Sequence, residues 1–308
     1  MPVRIGINPI TWTNDDMPEL GGDTPLETCL AEAREAGFAG IEMGGKFPTT
    51  AAALAPTLAP HHLAFISGWY SGKLLSRSAD DEFARMADHL QLHADMGCGV
   101  MVFAEGTGAT HGDSSIPAAT RALVPTDQWA DYGARLTRLA ELMRERGVRM
   151  AFHHHMGTAV QSEAEIDRMM AVTGDAVGLL LDTGHAVYAG ADPLALVRRH
   201  AQRIVHVHCK DIRPAIFKEA LAGNWSFLDA VVAGVFTMPG DGSIDYLPIL
   251  RALRQSNYFG WIVAEAEQDP AKAHPLTYAR LGYRNLARLA TDAGFDVEGV
   301  QIEAPPSS

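Results

Sequence analysis

The chain is short of positive charge. Its 308 residues carry 25 lysines and arginines against 37 aspartates and glutamates, a formal net charge of −12. No basic stripe is visible, so a nucleic-acid partner, which needs Lys and Arg against its phosphates, is not expected. Cysteine is scarce as well: Cys29, Cys98 and Cys209 are scattered and odd in number. That excludes a disulfide framework and fits reduced thiols in a cytoplasmic protein. No apolar run is long enough to span a bilayer. The opening MPVRIGINPI enters a strand-like run at once, without a charged leader and apolar stretch, so no signal peptide is expected. No linker or composition shift marks a second domain.

What is there is periodic. Short β-rich runs recur at 3–8, 40–43, 63–67, 99–104, 148–153, 177–182, 203–208 and 260–265, with helical patterns between them. Continuous apolar strands alternating with helices predict a parallel sheet covered by helices. Eight such units in one domain predict an α/β fold of the (β/α)₈ TIM-barrel type over residues 1–295, with a loose tail at 296–308. The turns from helix into strand are short and marked by glycine. Several loops from strand into helix are long and polar: TWTNDDMPELGGD after the first strand, GWYSGKLLSRS after the third, EGTGATHGDSSIPAATRALVP after the fourth, and 209–244 after the seventh. Long loops at the C-terminal ends of barrel strands are where sites are built.

Chemistry collects at those ends. The stretch VGLLLDTGHAVYAGADPLALVRRHAQRIVHVHCKD (177–211) delivers Asp182 and His185 from one apolar run and His208 from the next. Residues two apart on a strand share a face. His153 and His155 therefore point one way and His154 the other. His206, His208 and Lys210 share a face, as do Trp261, Val263, Glu265 and Glu267. His153, Asp182, His208 and Glu265 meet at one mouth of the barrel. Any one of them alone reads equally well as a salt-bridge partner; four from consecutive strands suit a divalent transition metal with open positions. Mn²⁺, Co²⁺ or Zn²⁺ fits two imidazoles and two carboxylates better than Ca²⁺ or Mg²⁺ does.

These motifs carry a resemblance along most of the chain. D-T-G-H on the sixth strand, H-V-H-x-K-D on the seventh and V-x-E-x-E on the eighth resemble the sugar-phosphate isomerase/epimerase-like TIM barrels. That superfamily also holds tagatose 3-epimerase-like enzymes and endonuclease-IV-like nucleases. I-x-P-I-x-W-x-N-D-D-x-P-E (Ile7 to Glu19), F-x-G-I-E-M-G-G (Phe38 to Gly45), S-G-W (Ser67 to Trp69), H-H-H-M-G-T (His153 to Thr158), P-G-D-G-S-I-D (Pro239 to Asp245) and E-A-E-Q-D-P (Glu265 to Pro270) resemble the inosose dehydratases. The superfamily's metal set is Glu, Asp, His and Glu on strands five to eight; His153 stands here in place of the first, as befits the dehydratase branch.

The resemblance implies loss of water from 2-keto-myo-inositol (scyllo-inosose) through an enediolate, in myo-inositol catabolism, with a ketose epimerase or isomerase as the alternative. It also raises a glutathione requirement and, for barrels of this kind, a homo-oligomer. The candidate base is Glu265 or Glu267, with Lys210 as a rival; His155 and His185 are candidate acids. Glu42, Glu105, Trp12, Trp69 and Arg213 are candidate substrate contacts, with Arg213, Lys218 and Trp225 on a predicted lid. For each, a salt bridge, a loop anchor or a solvated face is the plainer reading.

Overall fold

The structure, a computed structural model, describes residues 2–298. Eight parallel strands form a closed ring: β1 (Pro2–Ile7), β2 (Gly40–Met43), β3 (Ala64–Gly72), β4 (Val100–Glu105), β5 (Arg149–His153), β6 (Val177–Asp182), β7 (Ile204–Cys209) and β8 (Gly260–Ala264), which pairs back onto β1. Helices cover the outside, including Trp129–Glu145 and Pro275–Asp292. This is the TIM barrel that the periodicity predicts. Among the described residues no helix is long and apolar enough to cross a membrane.

The strands form where β-branched and aliphatic residues run together, and both of their faces are buried. In β6 every residue of VGLLLD is buried. Inside the barrel, Ile66, Trp261 and Val263 make one apolar group and Val102, Ala151, Leu180 and Val205 another. Gly6 and Gly40 leave room for them, since a Cβ on either would lie 2.3–2.4 Å from the Ile66 side chain. Between β6 and β7 the register slips, with Leu179 opposite Ile204 and Leu180 opposite His206. Val205 is the extra residue.

Two details depart from the sequence reading. β3 continues to Gly72, so Trp69, Tyr70 and Ser71 lie on a strand, opposite Val102, Phe103 and Ala104. Gly68 and Gly72 look like loop punctuation, but a Cβ on Gly72 would lie 2.2 Å from the Phe103 ring. The glycine is there for close packing, not for a turn. At the other end, Asp296–Val297 pairs with β1 in parallel, so the first residues of the predicted tail are ordered. Residues 299–308 lie outside the described part.

Helix starts are written in the sequence. Ser162 and Glu165 form a capping box at Glu163–Val172, and Ser78, Asp192 and Ser226 cap three further helices. Such caps contribute about 1 kcal/mol each. The segment after β7 is no open loop. It holds a two-stranded antiparallel pair, Asp211–Ile212 with Phe236–Thr237, and two helices, Pro214–Gly223 and Phe227–Ala233, around their own apolar cluster.

Candidate metal centre and its cavity

Asp182 ends β6 and at once caps the helix Thr183–Tyr188, its Oδ1 accepting the His185 N–H at 2.8 Å. Oδ2 is left free, 3.4 Å from His153 Nε2 and 3.7 Å from His208 Nδ1. Asp182 and Val263 both stand opposite His208 in the sheet register. Glu265, just past β8, touches His208 Nδ1 with its Oε2. One ligand atom from each of His153, Asp182, His208 and Glu265 falls within 4.8 Å of all the others, and all four residues are buried.

These donors suit a divalent cation. Asp182 Oδ2, Glu265 Oε2, His208 Nδ1 and both ring nitrogens of His153 are buried without a hydrogen-bond partner. Leaving such groups unsatisfied is costly, and converging imidazoles and carboxylates recover that cost by ligating a metal. His208 is also oriented for it. Its Nε2–H donates to Glu42 Oε1 at 3.1 Å, which leaves Nδ1 facing the other three residues. Burial alone would lower the pKa of His208, but the Glu265 and Glu42 charges outweigh it and hold the ring well above its ordinary value. The local field favours positive charge.

A second buried group adjoins the first. The rings of His155 and His185 pack with centroids 3.8 Å apart, backed by Phe227. His155 Nδ1–H donates to the Met156 carbonyl at 2.7 Å, so its Nε2 lone pair faces Glu267 Oε1, 3.9 Å away. The Lys210 ammonium donates to Glu267 Oε1 and lies 2.9 Å from His185 Nε2 and 3.1 Å from Glu265 Oε1. Burial would lower its pKa, but the Glu265 and Glu267 charges raise it above that of a free lysine. Burial, reinforced by His185, holds His155 well below the usual histidine value; burial, reinforced by Lys210, does the same to His185. The glycine of D-T-G-H is needed here, because a Cβ on Gly184 would lie 2.7 Å from Lys210 Cγ.

Above these groups opens a cavity of about 150 Å³. The strand ends contribute His153, His155, His208, Glu265 and Glu267 to its lining, and Trp69 and Ser71 come from β3. Trp69 turns its ring edge-on to His153 and His155. Loops add Asn8, Asp16 and His111, none of which the sequence reading selected. His111 Nε2 lies 3.9 Å from Asp16 Oδ1, and its ring packs edge-on against His155. Asp16 sits inside the first motif, where a signal existed; His111 is a single histidine in an irregular loop, where none did.

Other candidates fall elsewhere. Trp12 is buried, its Nε1–H donating to Glu32 at 2.6 Å, and it anchors the first loop. Glu105 accepts from the backbone N–H groups of Leu74, Leu75 and Thr107, clamping two loops outside the cavity. Arg213 is a strut behind the site: it donates to the Gly234 and Phe236 carbonyls and pairs with Asp241. It follows the short strand Asp211–Ile212, at the start of the helix Pro214–Gly223, and does not line the cavity. Glu42 lines the cavity, but its oxygens are taken by His206, His208 and Asn8. His154, on the opposite face of its strand, is fully buried, with the Asp182 N–H donating to its Nε2 at 3.3 Å. The segment after β7, expected to act as a lid, is a packed unit that presents Phe227 and Phe236 to the histidines. Lys46 ties the first loop down through the carbonyls of Gly21, Gly22 and Thr24.

Fold and site together define a (β/α)₈-barrel protein with a histidine–carboxylate centre at the C-terminal mouth. Comparison with known proteins narrows this. The profile of the xylose isomerase-like TIM barrels matches residues 30–289. The chain is 53% identical over 295 residues to the rhizopine catabolism protein MocC of Rhizobium meliloti, covering 96% of this chain and 91% of that one. It is 43% identical over 279 residues to the inosose dehydratase of Geobacillus thermodenitrificans, covering 90% and 94%. Among solved structures, the IOLI protein, crystallised with a bound zinc atom, superposes with a TM-score of 0.65 at 16% identity, covering 94% and 98%. The chain belongs to the xylose isomerase-like TIM-barrel family, on the branch that holds MocC and the inosose dehydratases.

Proposed function

We propose that the protein is a metal-dependent hydro-lyase that removes water from 2-keto-myo-inositol to give a trihydroxycyclohexane-dione. The observation that carries this reading is the unsatisfied set His153, Asp182, His208 and Glu265 at the floor of the cavity, in a chain 40–43% identical to inosose dehydratases. Those four residues would hold the ion, with Mn²⁺ or Co²⁺ as the first choices and Zn²⁺ as the third. Bound there, a divalent ion supplies Lewis acidity toward the ketone and an adjacent hydroxyl.

The chain's own groups handle the protons. Glu267 takes the proton α to the ketone; its Oε2 is buried and unpartnered beside the cavity. Lys210, behind it, donates to the other oxygen of that carboxylate and is a charge holder, not the base. The proton passes to His155 Nε2, 3.9 Å from Glu267, and on to the departing β-hydroxyl, which leaves as water. His155 suits this better than His185, which does not line the cavity. General acid and base groups of this kind contribute about 10²–10⁴-fold each. Trp69, Asp16 and His111 are the proposed grips on the ring.

Metal-reconstituted protein, incubated with 2-keto-myo-inositol with and without glutathione, is expected to generate the ultraviolet absorbance of a dione. An epimerase would return a ketone without it. Glu267→Gln is expected to keep the metal and lose exchange of the α-proton with solvent by at least about 10²-fold. Exchange at the wild-type rate would place the base elsewhere. The higher identity to MocC makes a compound of rhizopine catabolism the second substrate to assay.

A further inference from the structure

We infer that the Lys210 ammonium fills a second cation position, a tethered charge where a two-metal site would hold its other ion. The inference rests on reading the His153–Asp182–His208–Glu265 set as a metal site. Next to that set, His155, His185 and Glu267 offer three further ligand atoms within 4.8 Å of one another, all from buried residues. Two imidazoles and a carboxylate are by themselves a plausible donor set for a divalent ion. Lys210 occupies their midst.

An ammonium has three N–H donors and no acceptor. Lys210 directs them at His185 Nε2, Glu267 Oε1 and Glu265 Oε1. Its Nζ also lies 3.9 Å from Asp182 Oδ2, an oxygen of the first set. Glu265 and Asp182 thus face both positions, as bridging carboxylates do where two ions sit about 3.5–4 Å apart. Lys210 is fully buried and absent from the cavity lining, so it acts on neighbouring charge and not on the substrate. The backbone is shaped around it: Gly184 admits the Lys210 stem, and the Phe236 ring lies 4.9 Å from Nζ. The protein would then load one exchangeable ion and carry the second charge in its own sequence.

Metal stoichiometry tests this without reference to turnover. Apo protein is titrated with Co²⁺ and with Zn²⁺, and bound metal is counted by plasma mass spectrometry after desalting. Wild type is expected to hold one equivalent per chain, Lys210→Ala two, and the double variant Lys210→Ala/Glu267→Gln one again. Lys210→Gln, which keeps most of the packing volume and drops the charge, is expected to behave like Lys210→Ala and serves if the alanine variant fails to fold. Two equivalents in wild type, or one in both Lys210 variants, overturns the inference while leaving the first site standing. No metal in wild type removes the first site and the inference with it.

Discussion

The two ring nitrogens of His208 face different partners. One donates to Glu42; the other points at Asp182 and Glu265. Replacing Glu42 by Gln keeps an acceptor but removes the charge that orients and polarises the ring. Supporting residues of this sort are worth about 10–100-fold in metal affinity. Glu42→Gln is therefore expected to weaken Zn²⁺ binding within that range, measured by competition with a chelator, while secondary structure is unchanged. Residues such as Asp182, His208 and Glu265 were readable because strand alternation fixes a direction once the strand is found. Glu42 was readable as a strand-end carboxylate but not as the partner of His206 and His208, which lie more than 160 residues away in sequence. Trp12 and Arg213 were misread for the opposite reason: they follow strands, but the chain bends there, and alternation says nothing about a bend.

Elements were more legible than single loop residues. Seven of the eight strands fall within one residue of their predicted apolar runs, because burial on both faces demands such runs. β3 overran its predicted end because two of its glycines serve packing. The helix Ala87–Asp95, packed on β3, carries a consequence of its own. His93 is fully buried, its Nδ1 bonded to the His89 carbonyl and its ring edge-on to Phe65. Burial, helped by neighbouring His89, lowers its pKa from 6.5 to about 3. The unfolded chain therefore binds a proton below pH 6.5 that the folded chain refuses. Stability contributed by the neutral ring is complete above that pH and falls as the pH drops from 6.5 toward 3, by up to about 1.4 kcal/mol per pH unit. His93→Phe is expected to flatten that decline. Urea midpoints at pH 7.5 and pH 5 check it; an equal drop in wild type and variant would assign the acid sensitivity to other groups.

At the scale of the whole molecule, the barrel gathers residues from positions 42 to 267 into one small volume, which no local pattern announces. The sequence showed which strands end in ligand-type side chains; ring closure, β8 against β1, is what brings Glu42 of β2 round to His206 and His208 of β7. The same closure allows approach from one side only. Asp182 has no exposed surface and His153, His208 and Glu265 almost none, and three of the four line the floor beneath the cavity. An ion seated among them can leave only upward, through the space the ring compound would fill. The organic ligand thus acts as a cork: metal must enter first, and a chelator should strip it far more slowly while the ketone, or an unreactive cyclitol in its stead, plugs the opening. Stopped-flow release of Zn²⁺ to a coloured chelator, with and without the plug, should show that retardation.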